Sequence, residues 1–237
     1  MAPALRAYYR PEITGLENVP RTGPIILAAN HVSFADEVFT PLAARRQVCY
    51  FAKAEYFTGT GIRGRAMAAF FHGLGHVPVQ RDHTRSAAAV IDIGVDLLRE
   101  GRALGIYPEG TRSPDGRLYK FRTGVARVAL RSGVPVVPVG LVGTREVQPP
   151  DSRRWHRAPV GVHFGTPLRF GSRAHEERSS KVLRELTETI RVAVQALSGQ
   201  SYVDSFASSV KDGAAATADL GDGRPLRRRP ASGTFLD

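Results

Sequence analysis

Two short stretches carry the residues best suited to chemistry. "AANHVSFADE" (28–37) sets His31 five positions ahead of Asp36, directly after an apolar run. A histidine held in one tautomer by a carboxylate is a competent general base near neutral pH. The same residues admit a plainer reading. Ser33 and Asp36 have the Ser-x-x-Asp spacing of a capping box at a helix start, with His31 a loop residue. Helix geometry restricts the first reading, because positions five apart on one helix point about 140° away from each other. His31 must then lie on the turn before the helix that carries Asp36. That turn is the C-terminal end of a strand, where open α/β sheets build their sites.

"YPEGTRS" (107–113) follows another apolar run and packs Pro108, Glu109, Gly110, Thr111 and Arg112 into one turn. Gly110 permits close backbone approach, and Arg112 offers a planar fork that fits phosphate. The plainer alternative is an exposed turn closed by a Glu109–Arg112 ion pair. "GHVPVQR" (75–81) ends a short strand on Arg81, and "GVPVVPVGL" (133–141) is a strand with Pro135 and Pro138. Proline is normally kept from central strands, so this one predicts a sheet edge or a special backbone near a pocket.

Alternating elements position these residues. Apolar runs predict strands at 23–31, 47–53, 76–81, 102–107, 134–142 and 160–170. Helical patterns fill 33–45 (Ser33 as N-cap), 62–75, 84–101, 124–133 and 176–199. Strand and helix alternate throughout, which predicts an α/β fold with a mixed, largely parallel sheet flanked by helices. In the 62–75 helix, Met67, Phe70, Phe71 and Leu74 share a face, with Arg63 and Arg65 near it. That pattern suits an interfacial helix and equally a helix packed on the sheet.

The chain of 237 residues has room for one sizeable core, expected over 1–210. From Lys211 the composition turns to Gly, Ala, Asp, Arg and Pro, so 211–237 is expected to be a disordered basic tail containing Arg227, Arg228 and Arg229. The formal charge of +11 suggests an acidic partner, and an anionic membrane surface is expected rather than nucleic acid. Composition bias is the alternative, since only four of the 33 basic residues are lysines. No run of ~18 apolar residues predicts a membrane-spanning helix, and "MAPALRAYYRPEITG" lacks the apolar centre of a leader. Cys49 stands alone, so no intrachain disulfide or cysteine cluster is possible, and its apolar strand reads as core.

Other motifs fall away. "GTGIRG" (59–64) matches G-x-G-x-x-G without the strand-to-helix setting of a dinucleotide site. Neither G-x-S-x-G nor H-E-x-x-H occurs; His163 reads as a strand packing residue and His175 as a solvated helix start.

Taken in order, the four stretches resemble the phospholipid/glycerol acyltransferase family, which holds lysophosphatidic acid and glycerol-3-phosphate acyltransferases. Its N-H-x4-D motif is met by Asn30, His31 and Asp36, and its Gly-to-Arg strand by Gly75 through Arg81. Its [FV]-P-E-G-T-R-S motif is met by Pro108 through Ser113, with Tyr107 for the usual Phe, and its V-P-[IV]-x-P-V motif by Val134 through Val139. The resemblance spans roughly residues 12 to 170. It implies a glycerolipid acyltransferase-like fold and catalysis by His31 and Asp36. It implies acceptor binding by Arg81, Glu109, Gly110, Thr111 and Arg112, with Asn30, Lys120 and Arg122 as additional candidates. The co-substrate would be acyl-CoA or acyl carrier protein, with no cofactor and no metal, and the acceptor a lysophospholipid. The place of work would be the cytoplasm, peripherally on the inner face of the cell membrane. A reading of another class is a non-catalytic binder of anionic lipid, which would need no general base.

Overall fold

A computed structural model describes residues 2–53, 57–73, 75–79, 86–150, 152 and 154–211. In chain order the elements are α1 (Ala2–Tyr9), β1 (Glu12–Thr14), β2 (Ile25–Ala29), α2 (Asp36–Ala44), β3 (Val48–Cys49), β4 (Phe51–Lys53), α3 (Gly61–Gly73), β5 (Val77–Val79), α4 (Ser86–Arg99) and β6 (Ala103–Ile106). There follow β7 (Leu118–Tyr119), α5 (Gly124–Ser132), β8 (Val136–Val142), α6 (Thr144–Val147), β9 (Gly161–Phe164), α7 (Ser180–Ser198) and β10 (Tyr202–Val203).

Six strands form one mixed sheet in the order β1-β9-β8-β2-β6-β3. Its pairings are parallel except β8 with β9. β2 is central, paired to β6 on one side and β8 on the other, and all five of its residues are buried. That explains its unbroken apolar run, because a strand covered on both faces needs no polar alternation. Its side chains still alternate between two cores. Ile26 and Ala28 join residues of α4, α5 and α7, including Leu98, Val128 and Leu186. Ile25, Leu27 and Ala29 join Tyr9 of α1 and Phe39 and Leu42 of α2. Helices thus cover both faces, and the C-terminal end of β2 is left to carry the turn with His31.

Several boundaries differ from the sequence expectation. The strand expected over 47–53 splits at Tyr50: β3 stays in the main sheet, while β4 pairs with β5 in a separate two-stranded unit. β8 is no edge, since it lies between β2 and β9. Pro138 is tolerated there because its nitrogen faces the gap where the partner chain leaves the ladder. That gap lies between the Val139–Phe164 pair and the isolated Val136–Leu168 bridge, and the Pro138 carbonyl on the same side still accepts from Gly165 N (2.9 Å). α7 begins at Ser180 rather than 176, because Ser179 caps it by accepting from Val182 N and a short 3-10 helix (Gly171–Glu176) precedes. Residues 212–237, where the disordered tail is expected, lie outside the described residues, as do Leu74 and Arg81.

Candidate active site

Asp36 opens α2 and is fully buried. Its Oδ2 lies 2.8 Å from His31 Nδ1 and also accepts from Val32 N (2.8 Å) and Ser33 N (2.9 Å). The carboxylate therefore answers both sequence readings at once. It caps the turn, as a capping box would, and it binds the histidine. Ser33 is not the N-cap: its Oγ accepts from Ala35 N (3.1 Å), donates to Gln148 O (2.7 Å), and the helix starts three residues later. An acceptor-only oxygen facing Nδ1 assigns the proton to Nδ1. Nε2 is left to accept, and it has no hydrogen-bond partner among the described residues.

The backbone of His31 is gripped on both sides by the second motif. His31 N donates to Glu109 Oε1 (2.9 Å), and Ser113 N donates to His31 O (2.7 Å). Glu109 was expected among the acceptor ligands. It is instead fully buried, and Oε2 accepts from Tyr119 N (3.0 Å). No ion pair joins it to Arg112; two backbone amides use its oxygens. Burial pushes its carboxyl up to about 8, against the pull of those two amides. Gly110 adopts φ +78, and a Cβ there would meet Arg122 Nε at 2.9 Å, so both conformation and space call for glycine.

A linkage prediction follows from Glu109. The unfolded chain releases this proton near pH 4.5, while the folded chain keeps it to about 8. Folding stability should therefore fall as pH rises through that window, with a limiting slope of about 1.4 kcal/mol per pH unit. In Glu109→Gln the slope should vanish. Stability should also drop by about 1–3 kcal/mol, because an amide offers one acceptor where two N–H groups need partners. Urea unfolding at several pH values between 5 and 8.5 checks this, and an undiminished slope in the variant would contradict it.

The remaining expected residues divide. Arg112 is half-buried beside this loop and makes no hydrogen bond or ion pair among the described residues. Thr111 Oγ1 accepts from Lys211 Nζ (3.1 Å). Asn30 is buried, with its amide paired to both backbone groups of Leu141 (2.9 and 2.8 Å), so it extends the β2–β8 pairing instead of facing an acceptor. Lys120 is held by Asp204 (2.9 Å). Arg122 donates to Ser208 Oγ (3.0 Å) and stacks 5.0 Å from the Phe206 ring. Both additional cations are thus engaged by the C-terminal segment.

An aromatic column was not read from the sequence. The Tyr107 ring stacks on His31 at 3.9 Å between centroids, tilted by 11°. Tyr50 stacks on Tyr107 at 5.3 Å, and His76 lies against Tyr50 at 5.4 Å. His76 Nε2 meets Glu37 Oε2 at 3.0 Å, so successive carboxylates of α2 reach two different histidines. Gly105 admits this column, since a Cβ there would fall 2.2 Å from the Tyr50 ring. Burial raises the phenols of Tyr50 and Tyr107, so both stay protonated. The signal in sequence was the aromatic residue directly before Pro108 and the small residue two before that.

A general base poised on a loop at the C-terminal end of a parallel strand, with an unpartnered arginine beside it, defines an α/β transferase site. The Acyltransferase family model matches residues 10–142, more than half of the chain, and the chain belongs to that acyltransferase family. It is 36% identical over 169 residues to a chloroplastic 1-acyl-sn-glycerol-3-phosphate acyltransferase of Brassica napus, a match over 70% of this chain and 47% of that one. It is 31% identical over 132 residues to the 1-acyl-sn-glycerol-3-phosphate acyltransferase of Borreliella burgdorferi, covering 56% and 51%. The matched region thus spans about half the length of these curated relatives. The crystal structure of the 1-acyl-sn-glycerophosphate (LPA) acyltransferase of Thermotoga maritima superposes with a TM-score of 0.62 at 24% identity, over 83% of this chain and 75% of that one. At that identity the likeness is one of fold.

Proposed function

We propose that the chain moves a fatty acyl group from acyl-CoA or acyl carrier protein to the free hydroxyl of lysophosphatidic acid, giving phosphatidic acid. The observation that carries this reading is the His31–Asp36 contact of 2.8 Å, with Nε2 uncommitted among the described residues. In this mechanism His31 Nε2 takes the proton of the acceptor hydroxyl. The oxygen attacks the thioester carbonyl, and the C–S bond breaks. The imidazolium returns the proton to the leaving thiolate. Asp36 holds Nδ1–H and stabilises the positive ring while it lasts. The acceptor's own oxygen is the nucleophile, so no acyl-enzyme forms. Arg112 grips phosphate oxygens with its fork.

The test is transfer of labelled acyl groups to a panel: lysophosphatidic acid, glycerol-3-phosphate, lysophosphatidylcholine and monoacylglycerol. Lysophosphatidic acid should give the highest kcat/KM. A flat profile across the panel, or preference for a choline headgroup, would refute the acceptor assignment.

Both substrates are lipidic, so the reaction belongs at a membrane surface, reached peripherally from the cytoplasmic face. Among the described residues no helix is long and apolar enough to cross a membrane. α3 supplies the contact in this reading. None of its described side chains is buried, and Ile62 is 88% exposed. The side chains of Arg63, Met67, Phe70 and Phe71 lie outside the described residues. Phe70→Ser with Phe71→Ser should abolish flotation with phosphatidylglycerol vesicles while the melting temperature holds. Unchanged flotation with a collapsed melt would show that these rings pack on the protein instead.

A further inference from the structure

The C-terminal segment runs across the loop that forms the site. Gln200 Nε2 donates to Gly116 O (2.6 Å), Leu118 N donates to Ser201 O (2.9 Å), and β10 pairs with β7. Lys120 N then donates to Ser205 O (3.0 Å), and Ala207 is buried. A helical turn at 207–211 ends on Lys211, whose Nζ donates to Thr111 Oγ1 at 3.1 Å. Thr111 lies between Gly110 and Arg112, in the same turn whose Glu109 and Ser113 grip the backbone of His31. The Lys211 charge is also felt at Glu109, where it opposes the effect of burial.

This face gathers positive charge. Among the described residues Arg112, Arg122 and Arg145 have no carboxylate partner. Clustered cations repel one another and favour an anion among them. Arg112 brings a planar fork, and Lys211 brings a compact point charge from the other side of Thr111.

We propose that Lys211, delivered by the C-terminal segment, is a binding residue for the phosphate monoester of the acceptor, acting together with Arg112 across Thr111. This rests on the acyl-transfer reading above and adds to it a residue beyond 142, where the matched family region ends. The segment has two jobs in this account. It braces the 116–122 stretch, and it places the ammonium where the headgroup arrives.

The test compares wild type, Lys211→Ala and Lys211→Arg using lysophosphatidic acid and an uncharged monoacylglycerol as acceptors. The ratio of the two kcat/KM values should fall roughly ten- to hundredfold in Lys211→Ala, the scale of one hydrogen bond to a charged group. Lys211→Arg should keep most of the ratio. An unchanged ratio overturns the proposal. So does an equal loss on both acceptors, which would mark Lys211 as part of a brace only. Calorimetric titration of glycerol-3-phosphate separates this claim from the acyl-transfer reading, because it needs no turnover. Weaker binding by Lys211→Ala than by wild type, with Lys211→Arg in between, supports the site even if no acyl group is transferred. Equal binding, or none by wild type, overturns it.

Discussion

Replacing His31 with alanine should lower acyl-transfer turnover by roughly two to four orders of magnitude, the scale for losing a general base. The fold should survive. His31 lies on a turn, and the bonds that fix its backbone, to Glu109 and from Ser113, do not use its side chain. The one packing loss is the stack on Tyr107, and aromatic pairs of this kind contribute about 0.5–1.5 kcal/mol. A steady-state assay beside a thermal melt reads both quantities. Near wild-type turnover in His31→Ala would remove the proposed mechanism, whatever else the chain does.

Asp36→Asn should be nearly as damaging to turnover and more damaging to stability. Asp36 Oδ2 serves three donors at 2.8–2.9 Å, while Oδ1 is buried without a partner among the described residues. If the asparagine oxygen takes the Oδ2 position, its amide is buried where nothing accepts from it, and the imidazolium loses its counter-charge. If the amide flips, it faces Val32 N, Ser33 N and His31 Nδ1 as a donor. That orientation moves the histidine proton to Nε2, where it can no longer accept one. Either outcome should cost roughly two to four orders of magnitude in turnover and about 1–3 kcal/mol in stability. The double variant His31→Ala/Asp36→Asn should be little slower than His31→Ala alone, since the carboxylate acts through the ring. Additive losses would mean that Asp36 contributes by some other route.

The part of the site that is local in sequence was legible there. His31 and Asp36 are linked within one turn, so their spacing constrained them to a strand end and a helix start, and Gly110 marked a left-handed turn. What depends on distant backbone was not. Glu109 reads as an exposed partner for Arg112 until Tyr119 N, ten residues on, closes around its second oxygen. Asn30 reads as a polar site residue until Leu141 arrives beside it from β8. Pro138 argues for an edge because a sequence does not show where a neighbouring strand ends. The C-terminal crossing was invisible for a related reason. β7 and β10 have two residues each, too short for any period to register, and their pairing joins positions 84 apart. The whole course of β2 was legible, since a buried central strand states its burial in its composition.

The most direct test of the central claim is a product analysis. Purified chain, radiolabelled acyl-CoA and lysophosphatidic acid are incubated in mixed micelles, and lipid and free thiol are quantified together, with acyl carrier protein as a parallel donor. The account predicts labelled phosphatidic acid and free thiol in equal amounts, with both signals lost together in His31→Ala. Free thiol without phosphatidic acid would indicate a hydrolase. Phosphatidic acid formed equally well by His31→Ala would contradict the account at its centre.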